Sequence, residues 1–171
     1  MIELLEDPAY RHILINHLPV TGLAVAWLVL VVAVPLRHRP TFLVALALVA
    51  VMAGSAYAVI AAGEEAYPFV YDTLDGDGRA WLDHHTYLAD TWAPVIYANA
   101  VLALLAIGLG SWRAKWLMGA ALGVGLVTLG GFGAAAVISE SGGKIKHADF
   151  RLSDPPVHER SGRSREPGRR R

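Results

Sequence analysis

Four stretches of the chain, 12–35, 41–62, 86–110 and 116–138, are long, apolar and nearly free of charge. Each comes close to the ~20 residues a helix needs to cross the hydrocarbon core of a bilayer. Runs such as VAWLVLVVAVPL and FLVALALVAVMAG have no polar face to offer water, which argues against a soluble bundle of buried helices. With their polar ends included, the helices are expected at about 8–35, 41–62, 84–110 and 114–138. The expected fold is all-α, an integral membrane four-helix bundle over residues 1–150, followed by a tail over 151–171.

Composition adds limits. The chain of 171 residues is 54% hydrophobic and 18% charged and has no cysteine, so disulfides, iron–sulfur clusters and covalent c-type haem attachment are excluded. The start, MIELLEDPAYRH, is acidic where a secretory leader is basic, so the first span is expected to act as its own insertion signal. The net charge of zero hides an asymmetry: residues 1–150 hold 8 basic and 12 acidic residues, and residues 151–171 hold 7 arginines against Asp154, Glu159 and Glu166. The tail RLSDPPVHERSGRSREPGRRR cannot form a core. It is expected to be solvated, with gripping of a partner protein or of anionic lipid headgroups as the other reading.

The short connections RHRP and SWRAKW are basic and carry no acid, whereas Glu3, Glu6, Asp7, Glu64, Glu65, Asp72, Asp75, Asp77 and Asp83 lie at the opposite level. Short basic loops stay in the cytoplasm. Both termini and a long 63–85 loop are therefore expected on the outer, periplasmic side of a bacterial inner membrane.

That topology gathers imidazoles. His12 and His17 open the first span, His84 and His85 open the third, and His147 follows the fourth. Only His38 lies at the other side, and His158 is an outlier in the tail. Asp7-Pro8 is a good helix start. His12 and Asn16 then share a face, while His17 stands about 140° round from His12. Pro19 removes the donor for the Ile15 carbonyl, so a kink is expected beside His17. Of the adjacent His84 and His85, one is expected to face the interior; His85 is placed on a stripe with Leu88, Trp92 and Asn99.

Small residues recur at Ala50, Gly54, Ala58 and Ala62, and at Gly119, Gly123, Gly130 and Gly131. They suit close helix packing or room for a flat macrocycle. Tyr67, Phe69, Tyr71, Trp81, Tyr87 and Trp92 read as an interfacial belt. A quinone pocket beside the belt is compatible with this composition, and no motif marks one. DTLDGDGRAWLDH over 72–84 lacks the bidentate glutamate of a calcium loop, because His84 stands at its twelfth position. No phosphate loop, nucleophile triad or dinucleotide fingerprint is visible, and no internal repeat beyond a loose similarity of the two hairpins.

Imidazole is the commonest neutral metal ligand and ligates haem iron. Haem b takes axial imidazoles, apolar walls, and cations for its propionates. His17 and His85 are the first axial candidates, with His12, His147 and His84 next; Arg11, Lys144, Lys146 and Arg151 are candidates for the propionates. One or two haems are arithmetically accommodated. A mononuclear copper, zinc or iron site on His17, His85, His12 and His147, with Glu64, Glu65 or Asp83, is the rival.

His12-Ile-Leu-Ile-Asn-His17-Leu-Pro19, Leu82-Asp-His84-His85 and Gly142-Gly143-Lys-Ile-Lys-His147 together resemble a family of small bacterial four-helix membrane proteins of unassigned function. Its members start with a His-Pro-x-x-x-His-Phe-Pro stretch and end on a Gly-Gly…His segment. The resemblance covers about 10–151 and departs at Ile13, where proline is usual, and at Leu18, where phenylalanine is usual. Some relatives are fused to c-type cytochrome modules, which implies redox work and haem. The expectation is a b-type haem electron-transfer subunit of a larger redox complex, without catalysis of its own. A cofactor-free accessory subunit of a respiratory or photosynthetic complex, and a His-ligated metal protein, are the alternatives.

Overall fold

The structure, a computed structural model, describes residues 2–156. His158 and the rest of 157–171 lie outside the described residues. The elements are α1 (Ile2–Glu6), α2 (Pro8–Ile15), α3 (His17–Leu36), α4 (Arg39–Asp72), α5 (Gly76–Trp112) and α6 (Ala114–Lys146), then a 3₁₀ turn, Ala148–Phe150. The described residues contain no strand. Pro8–Leu36, α4, α5 and α6 are each long and apolar enough to cross a membrane. This is a multi-pass membrane protein with the architecture of a four-helix bundle.

The helices begin and end for local reasons. The Asp7 carboxylate accepts from the N–H groups of Ala9 at 2.8 Å and Tyr10 at 3.3 Å, and Pro8 stands at the first helical position. The first span breaks at Asn16, three residues before Pro19, whose missing N–H leaves the Ile15 carbonyl without a helical donor. Arg37 closes α3 in the left-handed region at φ 48°. Asp75 caps α5 by accepting from Gly78 N–H at 2.7 Å.

The 63–85 segment, expected as an external loop, is helical: α4 runs to Asp72 and α5 starts at Gly76. The acidic residues there mark where the hydrocarbon ends but do not stop α4, which runs through Glu64, Glu65 and Pro68 to Asp72 before the turn into α5. At 1.5 Å per residue, α4 to α6 measure roughly 50–55 Å against a ~30 Å core, so one end of the bundle stands clear of the bilayer. α6 likewise continues past 138 to Lys146.

α3, α4, α5 and α6 pack in a ring, each against the next, with α6 returning to α3 and touching α4 across the middle. α2 lies on α4. The core is made of small residues: Ala26, Ala33, Ala45, Ala53, Ala103 and Ala121 are fully or almost fully buried around Leu23, Leu46 and Val49, which lets backbones approach. The stripe that does this on α4 runs through Phe42, Ala45, Val49, Ala53 and Ala56, whereas Gly54 and Ala58 are exposed. Gly119, Gly123 and Gly130 likewise face open space, and of that set Gly131 packs inward. Spacing names a stripe; the neighbouring helices decide which stripe is covered. Leu105, Leu126, Val51 and Leu28 point outward to lipid.

The aromatic belt divides. Phe69, Tyr87 and Trp92 are exposed. Trp81 is buried with Leu82 and Ile145, and Tyr67, Val70, Tyr71 and Leu74 pack on them as a second cluster at the protruding end.

Candidate functional site

The rings of His12 and His85 meet between α2 and α5, centroids 6.2 Å apart and planes at 89°. Each is held by the same device. His12 Nδ1–H donates to the Val59 carbonyl at 2.9 Å, and Gly63 follows four residues later on α4. His85 Nδ1–H donates to the Ile138 carbonyl at 2.9 Å, and Gly142 follows four residues later on α6. A helical carbonyl points at residue i+4, so a side chain there would shield it. A Cβ on Gly63 would lie 2.9 Å from His12 Nδ1, and one on Gly142 would lie 3.1 Å from His85 Cε1. Glycine at both positions opens the carbonyl's second lone pair to an imidazole. Ser141 Oγ, which donates to the Ile138 carbonyl at 2.7 Å, also lies 3.1 Å from His85 Nδ1.

A carbonyl only accepts, so both neutral rings carry their proton on Nδ1 and keep the lone pair on Nε2. Two imidazoles bound through Nε2 to one metal at about 2 Å hold their centroids ~5–6.5 Å apart, depending on the angle at the metal, and the observed 6.2 Å lies within that range. Among the described residues no group of three or more His, Cys, Asp or Glu converges as a metal site. The donor set is thus two imidazoles from opposite helices. That suits a metal whose remaining positions are filled by a macrocycle, as in haem, better than a four-ligand structural zinc. Arg11, beside His12, has a buried Nε with no hydrogen-bond partner among the described residues, while its guanidinium pairs with Glu65. That free N–H fits a propionate.

The site lies at the edge of the hydrocarbon. Val59 is 20 residues from Arg39, the first residue of α4, which is ~30 Å of helix. Ile138 is 24 residues from Ala114, the first residue of α6, or ~36 Å of helix.

The other sequence candidates are placed elsewhere. His17 is exposed on a groove between α3 and α4, so the pair brought together is His12 with His85 rather than His17 with His85. His84 sits edge-on to the Trp81 indole, centroids 5.6 Å apart. His147 caps α6 and stacks on Phe150 at 4.8 Å, exposed. Trp92, expected on the His85 stripe, is exposed to lipid, and Asn99 is fully buried. Of the cations, Lys146 is exposed; Lys144 pairs with Glu140 and lies over the Trp81 ring at 4.7 Å. Arg151 is committed to structure. It donates to the Lys144 carbonyl at 2.8 Å and the Ile145 carbonyl at 2.7 Å, and meets Asp75 at 3.5 Å. Glu64 and Glu65 are exposed, and Asp83 accepts from the Tyr67 hydroxyl.

Gly63, Ser141 and the two carbonyls are groups that the sequence does not point to. Backbone acceptors leave no trace in residue type, and Gly63 sits just past the end of an apolar span.

Deeper in the bundle, Thr128 Oγ lies 2.8 Å from the Val124 carbonyl and 3.2 Å from the Asn99 carboxamide oxygen. Asn99 Nδ2 faces Gly131 and has no hydrogen-bond partner among the described residues. A polar contact of this kind holds α5 to α6 inside the membrane.

No family model matches the chain, and neither the curated proteins nor the solved structures compared with it contain a match.

Proposed function

We propose that the chain is a membrane-embedded carrier of haem b, which His12 and His85 would hold through Nε2, serving as an electron-transfer subunit of a larger redox assembly. The observation that supports the reading is the pair of imidazoles at 6.2 Å, each fixed through Nδ1 by a backbone carbonyl and each offering Nε2. Haem b, when bound, supplies reversible one-electron chemistry. The chain's own contribution is to hold two ligands in one tautomer, exclude water through apolar helices, and place Arg11 at the propionates. The basic short loops support the orientation with this site at the outer face of a bacterial inner membrane. The arginine-rich tail would engage a partner subunit or anionic lipid.

A second reading has a specific observation in its favour. Two imidazoles this close, with no third His, Cys, Asp or Glu converging on them among the described residues, also suit a single small ion such as copper held by Nε2 alone. The test is a visible spectrum of the detergent-purified protein, oxidised and dithionite-reduced, with a pyridine haemochrome assay and elemental analysis. The haem reading expects a sharp reduced α-band, about one haem per chain, lost in H12A and in H85A. A colourless protein that stays colourless after haem addition sinks it, and stoichiometric copper in that protein would establish the second reading.

A further inference from the structure

The groove at His17 has a chemistry of its own. It runs between α3 and α4, with His17 and Thr21 at its head and Val25, Leu48 and Met52 along its walls. Gly22 forms part of its floor, where the Met52 side chain lies in the space a Cβ would fill. His17 and Thr21 are four residues apart, so both polar groups stand on one face of α3, one turn above the other. Thr21 lies 16 residues from Arg37, or ~24 Å of helix, inside a ~30 Å hydrocarbon core.

Neither side chain has a hydrogen-bond partner among the described residues, although Thr86, Thr91 and Thr128 all donate to carbonyls of their own helices. A hydroxyl facing lipid without a partner is costly. The groove therefore calls for an occupant with acceptor oxygens at its head. No Lys, Arg, Asp or Glu lines it, so nothing there would neutralise a phosphate headgroup. The occupant is neutral, carries acceptor oxygens at the level of His17 and Thr21, and extends an apolar chain along Val25, Leu48 and Met52.

We infer that this groove is a binding site for an isoprenoid quinone. The quinone carbonyls accept from the His17 ring N–H and the Thr21 hydroxyl, and the isoprenoid chain lies on the apolar walls. The inference stands apart from the haem reading: its residues are on α3 and α4, away from the His12–His85 pair, and binding can be measured on coloured or colourless protein alike.

The test uses the full chain in phosphatidylcholine nanodiscs with a photoreactive azido-quinone as probe and decylubiquinone as competitor. The expected result is saturable labelling of about one per chain, mapped by mass spectrometry to 17–25 and 48–52. T21V and H17L should each weaken competition about three- to tenfold, the range for one lost hydrogen bond. Thr21→Val preserves shape on an exposed helix face, so its fold should be intact by circular dichroism. Non-saturable labelling, labelling elsewhere, or affinities unchanged in both variants would overturn the inference. Equal competition by phosphatidylglycerol would do the same, by showing an ordinary lipid contact.

Discussion

Gly63 leaves His12 the space its ring occupies: a Cβ there would lie 2.9 Å from Nδ1 and 3.0 Å from Cε1. Alanine in a helix is favoured over glycine by about 1 kcal/mol. Gly63→Ala should therefore leave the fold as stable as before, or nearly so, while pushing His12 off the Val59 carbonyl. On the proposed function, haem affinity should fall by at least tenfold with little change in the detergent melting temperature. Gly142→Ala should act on His85 in the same direction and more weakly, because its closest approach is 3.1 Å. A haem titration beside a thermal melt checks both. Independently of any cofactor, ¹⁵N shifts of labelled histidine should place the His12 and His85 protons on Nδ1.

Asn99 and Thr128 offer a test inside the membrane. Thr128→Val removes the hydroxyl that touches both the Val124 carbonyl and the Asn99 side chain. Polar contacts between membrane helices are worth about 0.6 kcal/mol on average and rarely above ~1.7. A loss within that range is expected in SDS-driven unfolding. Asn99→Leu removes the same contact together with a buried amide nitrogen that has no partner among the described residues, so it should be less destabilising than Thr128→Val. A larger loss for Asn99→Leu would mean that the amide has a second partner.

Arg151 ties the end of α6 to the start of α5. Its side chain is 11% exposed and donates to two carbonyls that α6 leaves without helical donors. Hydrogen bonds from a charged group contribute about 1.5–3 kcal/mol. Truncation after Phe150 should speed hydrogen exchange across 141–147, whereas truncation after Pro156 should leave it unchanged. Equal exchange in the two truncations would remove Arg151 from this role.

Asp75 makes the same junction sensitive to acid. Its carboxyl is held below the ordinary 3.8, first by the Gly78 N–H and then by Arg151. A depressed pKa in the folded state contributes stability above the unfolded pKa, which is lost as pH falls through the folded one. Wild type and Asp75→Ala should differ in melting temperature above the ordinary carboxyl value of 3.8 and converge as pH falls through the depressed folded-state value. A difference that persists at the acid end would mean the carboxylate charge is not its source.

Much of the architecture is readable in the sequence because the bilayer imposes it. A run such as VAWLVLVVAVPL has one stable setting, and its length is dictated by hydrocarbon thickness. The Asp7-Pro8 start and the break near Pro19 are equally local, since a cap and a missing N–H act within one turn. Helix ends beyond the membrane were not readable. Charge along 63–85 reports the limit of the lipid, and a helix does not stop where lipid does.

The sequence by itself determined four apolar spans, their caps, and the arrival of histidines from three segments at one end. Only the tertiary structure decided which histidines meet, because that depends on rotation about helix axes that residue spacing leaves open. His12 and His85 face each other because two carbonyls lie beneath Gly63 and Gly142, and His17 turns to a groove because α2 and α3 part at Asn16. Arg151, which spacing offered to a ligand, is drawn to the bare carbonyls at the end of α6. An acceptor made of backbone carries no residue label, so it is found only once the chain has folded around it.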